Sequence, residues 1–407
     1  MELTEARAEF PGLEDKAFLD AACVSLIPRS AYDGIRAFLD MALTCPAADA
    51  SLHHIAMDAL RREAIEEASA LLRVPARRIA LVESTTHALN IAANAIPLVK
   101  GDEVLIADTE FLQVAIPWAK KADEPGVVIT PVRSGDDGVL AFADFERAVT
   151  PRTRAICVSS VQWCSGCRVD VRALGELCAA KGIWLVVDAI QEMGALDIDL
   201  SQTRADFVMA GGHKWLNAPH GCGVLALSER ALAELDPPSW GYLALEEPAG
   251  GWGEYFRTPS ITPYREYRFP RTAKSFEIAG TSNYPGAVGL GRSLALVNRV
   301  GIAKAEAQVL RLAGLLQGDL ARLGLHVVSR SEPGIRSGIT VFRAFPGAAE
   351  NLALLERLLA DRIFVAMRYT SQVGGIRVST HYFNNEEDLE RLLWSLGRHL
   401  PASSRRG

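Results

Sequence analysis

Two polar residues that follow apolar runs could act together in chemistry. Asp188 ends the apolar run 183–187, and Lys214 follows the apolar run 207–210 after Gly-Gly-His. If both runs are parallel strands, the carboxylate and the amine lie at one edge of a sheet, where α/β folds bind ligands. A poorly solvated lysine loses its proton readily and can add to an aldehyde. The alternative is that Asp188 caps a helix and Lys214 lies on the surface.

A third motif could bind a phosphate group. The apolar run 79–82 is followed by Ser84, Thr85 and Thr86, which would stand at the start of a helix. The first turn of a helix presents free N–H donors and a favourable dipole to an anion. The same residues could serve only as a helix cap. Together with a carboxylate that keeps a pyridine nitrogen protonated, these groups match what pyridoxal 5′-phosphate (PLP) requires.

Length and composition narrow the classes of protein. The chain has 407 residues, which is long for one core and predicts two domains. Its net charge of −6 does not indicate the positively charged surface that binds nucleic acid or an anionic membrane. The charged start lacks the apolar run of a signal peptide, and no stretch is apolar for long enough to span a membrane. We therefore expect a cytoplasmic protein that binds neither nucleic acid nor membrane.

Alternating apolar runs and helical patterns predict an α/β fold. Seven apolar runs predict a mostly parallel seven-stranded sheet covered on both faces, in a large domain at residues 50–285. The rest predicts a smaller α+β domain at 286–407, with the N-terminal segment 1–49 packed against it. An aromatic, Gly- and Pro-rich segment at 237–271 is expected to line a site or an interface. The runs begin at Ile79, Val104, Val127, Ala155, Ile183, Phe207 and Gly223.

The smaller domain has its own pattern of elements. A long Ala/Leu/Arg stretch predicts a helix at 301–323, and the last amphipathic pattern predicts a helix at 386–396. Two or three short strands are expected between them. A short polar tail follows at 402–407.

Further motifs, in matching order along the chain, carry a family resemblance. Phe-Leu-Asp-Ala-Ala lies at 18–22, Gly-Thr-Ser-Asn at 280–283 and Arg-Val-Ser-Thr-His at 377–381. With these motifs the chain resembles fold-type I PLP enzymes of the aminotransferase class V family. This group contains cysteine desulfurases, selenocysteine lyases, kynureninase and isopenicillin N epimerase. The resemblance covers nearly the whole chain, and it implies the PLP-dependent transferase fold and PLP as the cofactor.

The resemblance also implies a role for each matching residue. Lys214 forms the internal aldimine, Asp188 pairs with the pyridinium nitrogen, and Gln191 reaches the ring hydroxyl. Phe111 matches an aromatic or histidine residue that stacks on the ring. The phosphate-binding positions are matched by Thr85, Thr86 and His213.

Two more matches concern the partner subunit and the substrate. Thr281 matches a threonine that reaches the phosphate of the neighbouring subunit's cofactor, which implies a homodimer with shared active sites. Arg377 matches the arginine that holds the α-carboxylate of an amino-acid substrate, a task that suits its bidentate guanidinium group. The alternative is that Arg377 is a surface arginine on a short strand.

The sequence departs from cysteine desulfurases at three positions. Those enzymes carry a nucleophilic cysteine on a loop shortly before the carboxylate-binding arginine. Residues 367–377 contain no cysteine, so a persulfide-forming desulfurase is not expected. Trp163 replaces an asparagine near the cofactor and is expected to shape a different substrate pocket. Gly211 replaces a serine or threonine that often contacts the phosphate.

The cysteines predict neither a disulfide framework nor a metal site. Their number, seven, is odd, and none lies beyond Cys222. Cys164 and Cys167 form a C-x-x-C pair, which could be redox-active or half of a metal site. Without a second pair or a histidine at ligand spacing, core packing is the expected role. Cys23 is a minor candidate for contact with the substrate.

We expect an α-amino acid to form an external aldimine with PLP, after which Lys214 removes the Cα proton. Loss of a sulfur group from Cβ would make the protein a C–S lyase that releases pyruvate and ammonia. Return of the proton to the cofactor would make it an aminotransferase, and return to the opposite face an epimerase. The leading prediction is C–S cleavage of cysteine or a cysteine S-conjugate, partly because segment 237–271 could hold a bulky substituent. A non-catalytic PLP-binding protein is a further alternative.

Overall fold

The computed structural model describes residues 1–123, 126–135, 137–278 and 280–401. The polar tail at 402–407 lies outside the described residues. The α-helices are α1 (Leu3–Ala8), α2 (Arg29–Thr44), α3 (Ala50–Ala59), α4 (Arg62–Leu72), α5 (Thr85–Ala95), α6 (Leu112–Asp123), α7 (Phe142–Ala148), α8 (Val171–Lys181), α9 (Glu229–Glu234), α10 (Gly251–Tyr255), α11 (Tyr284–Val300), α12 (Ile302–Arg322), α13 (Ala348–Ala360) and α14 (Glu386–His399).

The β-strands fall into three sheets within the described residues. They are β1 (Ala17–Phe18), β2 (Ile79–Val82), β3 (Glu103–Ala107), β4 (Val128–Val132), β5 (Thr153–Ser159), β6 (Trp184–Asp188), β7 (Phe207–Gly211), β8 (Gly223–Leu227), β9 (His326–Val327), β10 (Ile339–Arg343), β11 (Ile363–Phe364), β12 (Ala366–Thr370) and β13 (Val373–Ser379).

The largest sheet confirms the predicted seven strands. Its order is β2-β8-β7-β6-β5-β3-β4, and each predicted apolar run forms one of these strands. β8 is antiparallel to both of its neighbours, whereas the other pairs are parallel, so the sheet is mixed and mostly parallel. Strands β2, β3, β6, β7 and β8 are buried along their whole length. That burial is the reason for the unbroken apolar runs in the sequence.

The register of the central strands brings polar residues to one edge. Ser159 at the end of β5 is the backbone partner of Asp188 at the end of β6, and Asp188 pairs with Met209 of β7. Gly211 ends β7, and the chain then continues to Lys214. These strands run in parallel, so the carboxylate and the lysine come to the same edge, as predicted.

The second sheet has four strands in the order β12-β13-β10-β9 within the described residues, all antiparallel. Helix α12 matches the prediction at 301–323 to within one residue at each end, and α14 extends three residues beyond the predicted end at Leu396. Helices α12 and α14 contribute Leu312, Leu316, Leu392 and Leu396 to the apolar core beside this sheet.

The residues before Arg377 form a β-hairpin that the sequence did not indicate. Its two strands are β12 and β13. Its two connecting residues, Ser371 and Gln372, have φ angles of 48° and 66°. Such angles in a two-residue turn are usually marked by Asn-Gly or Asp-Gly, and that signal is missing from this sequence.

The first part of the N-terminal segment packs with the second sheet, whereas α2 packs against α11. β1 pairs in parallel with β11, and Asp20 forms a bridge with Ser379 of β13. Arg7 donates two hydrogen bonds to the buried Asp388 carboxylate of α14. The domain limits at 49/50 and 285/286 stay predictions. In the described residues no helix is long and apolar enough to cross a lipid bilayer.

Candidate active site

A cavity of about 350 Å³ opens at the edge where β6 and β7 end. It is lined by Ala22, Cys23, Ser84, Thr85, Thr86, Phe111, Gln113, Ser159, Trp163, Asp188, Ile190, Gln191, His213, Lys214, Arg368 and Arg377. Residues that are far apart in the sequence therefore meet here. Every predicted site residue lies in this cavity except Thr281.

Lys214 and Asp188 have pKa values that burial shifts in opposite directions. Burial lowers the pKa of Lys214 to about 8, although the Asp188 carboxylate opposes this change. Burial also raises the pKa of Asp188 to about 6, against a backbone hydrogen bond of 2.9 Å from the Ile190 N–H to Oδ1. Near neutral pH a usable fraction of the amine is therefore uncharged and nucleophilic. A cationic ring nitrogen facing Asp188 would favour its ionised form.

The N-terminus of α5 reaches the cavity, which Ser84, Thr85 and Thr86 line. Ser84 caps this helix by accepting a hydrogen bond of 3.1 Å from the His87 N–H. Thr85 Oγ1 accepts a hydrogen bond of 2.8 Å from the Gly211 N–H, which ties the helix to the end of β7. A Cβ atom at Gly211 would lie only 3.1 Å from Thr85 Oγ1. The glycine therefore permits this close approach of helix and strand.

His213 also lines the cavity and stacks on His220, with ring centroids 4.9 Å apart. Burial, together with the charges of Lys214 and His220, lowers the pKa of His213 to about 4. The imidazole is therefore neutral at neutral pH. It can contact a phosphate through a hydrogen bond from one ring nitrogen, but it does not add a positive charge.

Two aromatic rings form one wall of the cavity. The Phe111 ring centroid lies 5.9 Å from Lys214 Nζ and 5.2 Å from the Trp163 ring centroid. The Phe111 side chain is 46% exposed, so its face is free to stack on a planar ligand. The Trp163 indole N–H is buried and has no acceptor among the described residues. Both predicted aromatic residues are therefore placed beside the lysine.

Gln191 lines the cavity, but its side chain also holds other segments together. Its Nε2 donates to the Ala22 carbonyl at 3.1 Å, and its Oε1 accepts from Trp215 Nε1 at 2.8 Å. One N–H of the amide is left for a ligand. The predicted contact of Gln191 with a ring hydroxyl stays a prediction.

Arg377 also lines the cavity and is buried, with 1% exposure. Its Nη2 donates to Asp20 Oδ1 at 3.0 Å and its Nη1 to the Trp163 carbonyl at 3.3 Å. Burial raises the pKa of Asp20 in spite of this guanidinium group. Arg377 Nε has no acceptor among the described residues. Two hydrogen bonds therefore fix the guanidinium group, and its Nε–H can still donate one to a ligand.

Sequence reasoning missed Arg368 and Asp20. Arg368 lies on β12, and in the hairpin register Ala366 is opposite Arg377, so Arg368 is its diagonal neighbour on the same face. The cavity therefore contains two arginines. Only recognition of the hairpin could have revealed Arg368. Asp20 could have been proposed as a site residue because it lies in the motif Phe-Leu-Asp-Ala-Ala at 18–22.

Some candidate residues lie outside the cavity of their own chain. Thr281 is exposed and does not line it, and no described residue of segment 237–271 lines it either. The aromatic rings of this segment pack on one another and beside α3, and the expectation that the segment lines a site or an interface stays a prediction. Cys164 and Cys167 are buried free thiols, as core packing requires. In the described residues no cluster of His, Cys, Asp or Glu could hold a metal ion.

The arrangement fits PLP on structural grounds. An amine of lowered pKa faces a buried carboxylate, an exposed ring face stands beside both, and a capped helix offers N–H groups to a phosphate. Lys214, Asp188, Phe111, Thr85, Thr86 and His213 would hold the cofactor.

Comparison with known proteins agrees with this arrangement. The sequence model of the family described as aminotransferase class V matches residues 17–392. The chain is 29% identical over 404 residues to isopenicillin N epimerase of Streptomyces clavuligerus, covering 95% of this chain and 97% of that protein. Its fold matches apo cysteine desulfurase of Thermococcus onnurineus NA1 with a TM-score of 0.84, at 22% identity and 98% coverage of both chains.

A second solved structure shares the fold. It is a cystine C–S lyase in complex with its reaction product cysteine persulfide, with a TM-score of 0.83, 23% identity and coverage of 96% of this chain and 100% of that one. The matched family covers most of this chain, and the residues of the cavity fit its cofactor. The chain therefore belongs to the aminotransferase class V family and is a PLP-dependent enzyme.

Proposed function

We propose that this enzyme cleaves the Cβ–S bond of cysteine or a cysteine S-conjugate by β-elimination and releases pyruvate and ammonia. The observation that carries the proposal is the layout of one cavity. This cavity is lined by Arg368, Arg377 and Lys214, together with the contacting rings of Phe111 and Trp163. The arginines suit an α-carboxylate, and aromatic rings make favourable contacts with sulfur.

Each side chain has a task in this reaction. When bound, PLP supplies a ring that accepts electrons from the substrate carbon. Arg377, held by Asp20, fixes the carboxylate and so orients the Cα–H bond, and Arg368 adds a second donor group. Lys214 accepts the Cα proton, and Asp188 supports positive charge on the cofactor ring. The electron pair of the Cβ–S bond leaves with the sulfur.

The remaining roles follow the family assignment. We propose that Thr85, Thr86 and His213 bind the phosphate, that Phe111 stacks on the ring and that Gln191 contacts the ring hydroxyl. We also propose a cytoplasmic homodimer in which Thr281 reaches the partner's cofactor. The exposed position of Thr281, outside the cavity of its own chain, supports a role in the partner's site.

Epimerisation of an amino acid is the second candidate. It is favoured by the 29% identity to isopenicillin N epimerase over nearly the full length of both chains. In that case the proton would return to the opposite face of Cα, and no bond at Cβ would break. Transamination would instead require a keto acid as the second substrate.

Product analysis separates these reactions. Purified holoenzyme is incubated with L-cysteine, L-cystine and S-alkyl cysteines in deuterium oxide, with and without a keto acid. Pyruvate release without a keto acid supports the lyase. Turnover that depends on the keto acid, or deuterium at Cα of recovered substrate without pyruvate, contradicts it.

Lysine variants provide the control for this assay. Lys214→Ala is expected to lower kcat by roughly 10²–10⁴-fold, the usual contribution of a general base. Lys120 lies on α6 with its side chain 73% exposed, so Lys120→Ala should keep the wild-type rate. Equal rates for wild type and Lys214→Ala would refute the role of Lys214.

A further inference from the structure

Cys23 differs from the other cysteines in its position. All seven lie in the described residues; five are buried, Cys45 is exposed, and Cys23 is half-buried and lines the active-site cavity. It ends a turn in which its N–H donates to the Asp20 carbonyl at 3.0 Å. This N-terminal turn is separate from the hairpin before Arg377.

A cationic side chain contacts the Cys23 sulfur. Arg368 Nη2 donates a hydrogen bond to Sγ at 3.4 Å, and Lys214 and Arg377 line the same cavity. Reactive cysteines in proteins lie next to arginine or lysine side chains, which stabilise the attacking thiolate. The Cys164 sulfur differs, because its hydrogen bond goes to the Thr109 carbonyl and not to a cationic side chain.

A second observation indicates that a ligand reaches this cavity. Arg377 has 1% exposure, yet its Nε has no acceptor among the described residues, and the nearby Trp163 indole N–H also has none. A buried donor without a partner is unfavourable, so a bound group with acceptor atoms is expected here. Such a ligand would lie beside the Cys23 sulfur.

We propose that Cys23 is a nucleophile that takes up the outer sulfur of a persulfide formed in this cavity. The inference rests on the proposed C–S lyase activity with a disulfide substrate such as cystine. Cleavage of its Cβ–S bond leaves a persulfide, R–S–SH. The Cys23 thiolate attacks the outer sulfur, a new S–S bond forms at Sγ, and the old S–S bond breaks. R–S⁻ leaves, so atoms and electrons balance without an oxidant.

Mass spectrometry of the holoenzyme tests the transfer. After incubation with L-cystine and trapping with an alkylating agent, the peptide that contains Cys23 should carry one additional sulfur atom. Cys23→Ser should lack this adduct, and the peptide with the exposed Cys45 should show none. Lys214→Ala should also lack it, because no persulfide forms. Extra sulfur on Cys45 to the same extent, or on Cys23 in Lys214→Ala, would refute the proposal.

Alkylation of the PLP-free protein gives a test that needs no activity. The cations around Cys23 should attract negatively charged iodoacetate over neutral iodoacetamide, by about tenfold more than at Cys45. Arg368→Gln should reduce this preference. The same preference at Cys23 and Cys45 would overturn the proposed reactivity.

The two proposals fail in different ways. If cystine gives pyruvate but no sulfur appears on Cys23, the lyase activity stands and the inference is wrong. If no pyruvate forms from cystine or any conjugate, the proposed function itself is wrong, and the proposed sulfur transfer is then wrong as well.

Discussion

Burial shifts the pKa of both Lys214 and Asp188, the two residues that the chemistry needs. It lowers the pKa of the amine to about 8 and raises the pKa of the carboxyl to about 6. Both shifts oppose the charged form, which is the expected effect of a poorly solvated site. The residues are therefore placed for reaction at some cost in stability to the PLP-free protein.

Asp188→Asn tests this cost. The carboxyl has an ordinary pKa of 3.8 when unfolded and about 6 when folded, so the folded chain holds its proton to higher pH. Folding stability therefore falls as pH rises from about 4 to about 6, and the penalty above pH 6 is on the order of 3 kcal/mol. The variant should unfold with a free energy larger by this amount near pH 7.5.

Urea denaturation of the PLP-free protein near pH 7.5 and near pH 5 measures the difference. The gain should shrink at the lower pH, while turnover by the PLP-loaded variant falls. Asp40→Asn, at an exposed position on α2, should change neither quantity. A loss of stability in Asp188→Asn at both pH values would contradict the argument.

The buried Arg377 and the half-buried Asp20 form an ion pair that positions the guanidinium group. A buried pair adds little net stability, but loss of one partner leaves an uncompensated charge. Asp20 therefore fixes the guanidinium group, while the free Nε keeps capacity for a substrate. The neighbouring Cys23 shares the turn that delivers Asp20.

At the scale of elements, Asn217 holds the segment after β7 in place. It lies three residues after Lys214, has a φ of 54° and is buried, with 1% exposure. Its Oδ1 accepts from Ser25 Oγ at 2.7 Å and its Nδ2 donates to Tyr382 Oη at 2.9 Å. The Asn217 side-chain amide therefore connects the segment after Lys214 to the N-terminal segment and to the C-terminal region.

Asn217→Ala should destabilise the protein by about 2–5 kcal/mol. It leaves two buried hydroxyl groups without a partner and puts alanine into a left-handed conformation. Because Lys214 then loses its fixed position, PLP should also bind more weakly. Denaturation and PLP titration measure the two effects. Asn94→Ala on the exposed face of α5 should be neutral or slightly stabilising, and an equal loss in both variants would exclude a special role for Asn217.

At the scale of the molecule, exposed apolar side chains indicate an interface. Leu43 is 84% exposed on α2, and Ile55 on α3 and Phe256 beside α10 are 50% and 56% exposed. A soluble monomer rarely exposes so many large apolar groups in neighbouring segments. Together with the exposed Thr281, they favour the proposed homodimer with shared sites.

Mixed dimers test the shared site. Lys214→Ala and Thr281→Ala each lower activity on their own if Thr281 acts on the partner's cofactor. A heterodimer of the two variants then contains one site with intact Lys214 and an intact partner threonine, so it should recover about half of the wild-type activity. If Thr281 acts within its own chain, neither site is intact and no activity returns. Size-exclusion chromatography with light scattering confirms the mass of each species.

The amino-acid sequence alone determined the large sheet, its edge and the cofactor. A strand buried on both faces requires a continuous apolar run, so each run of the sequence became a strand. In parallel strands, residues that end each run lie at one edge, and this placed Asp188 and Lys214 together. These features depend on neighbours in the sequence and are therefore visible in it.

Only the tertiary structure decided which residues join Arg377 in the cavity. Arg368 joins Arg377 only through the register of a hairpin whose turn has no sequence signal. Asp20 and Cys23 reach the same place because β1 and the following turn lie against β11 and β13, more than 340 residues away in the chain. No sequence pattern indicated that segment 237–271 packs outside the cavity of its own chain. Contacts between distant residues depend on how strands pair and loops close, and no local pattern encodes them.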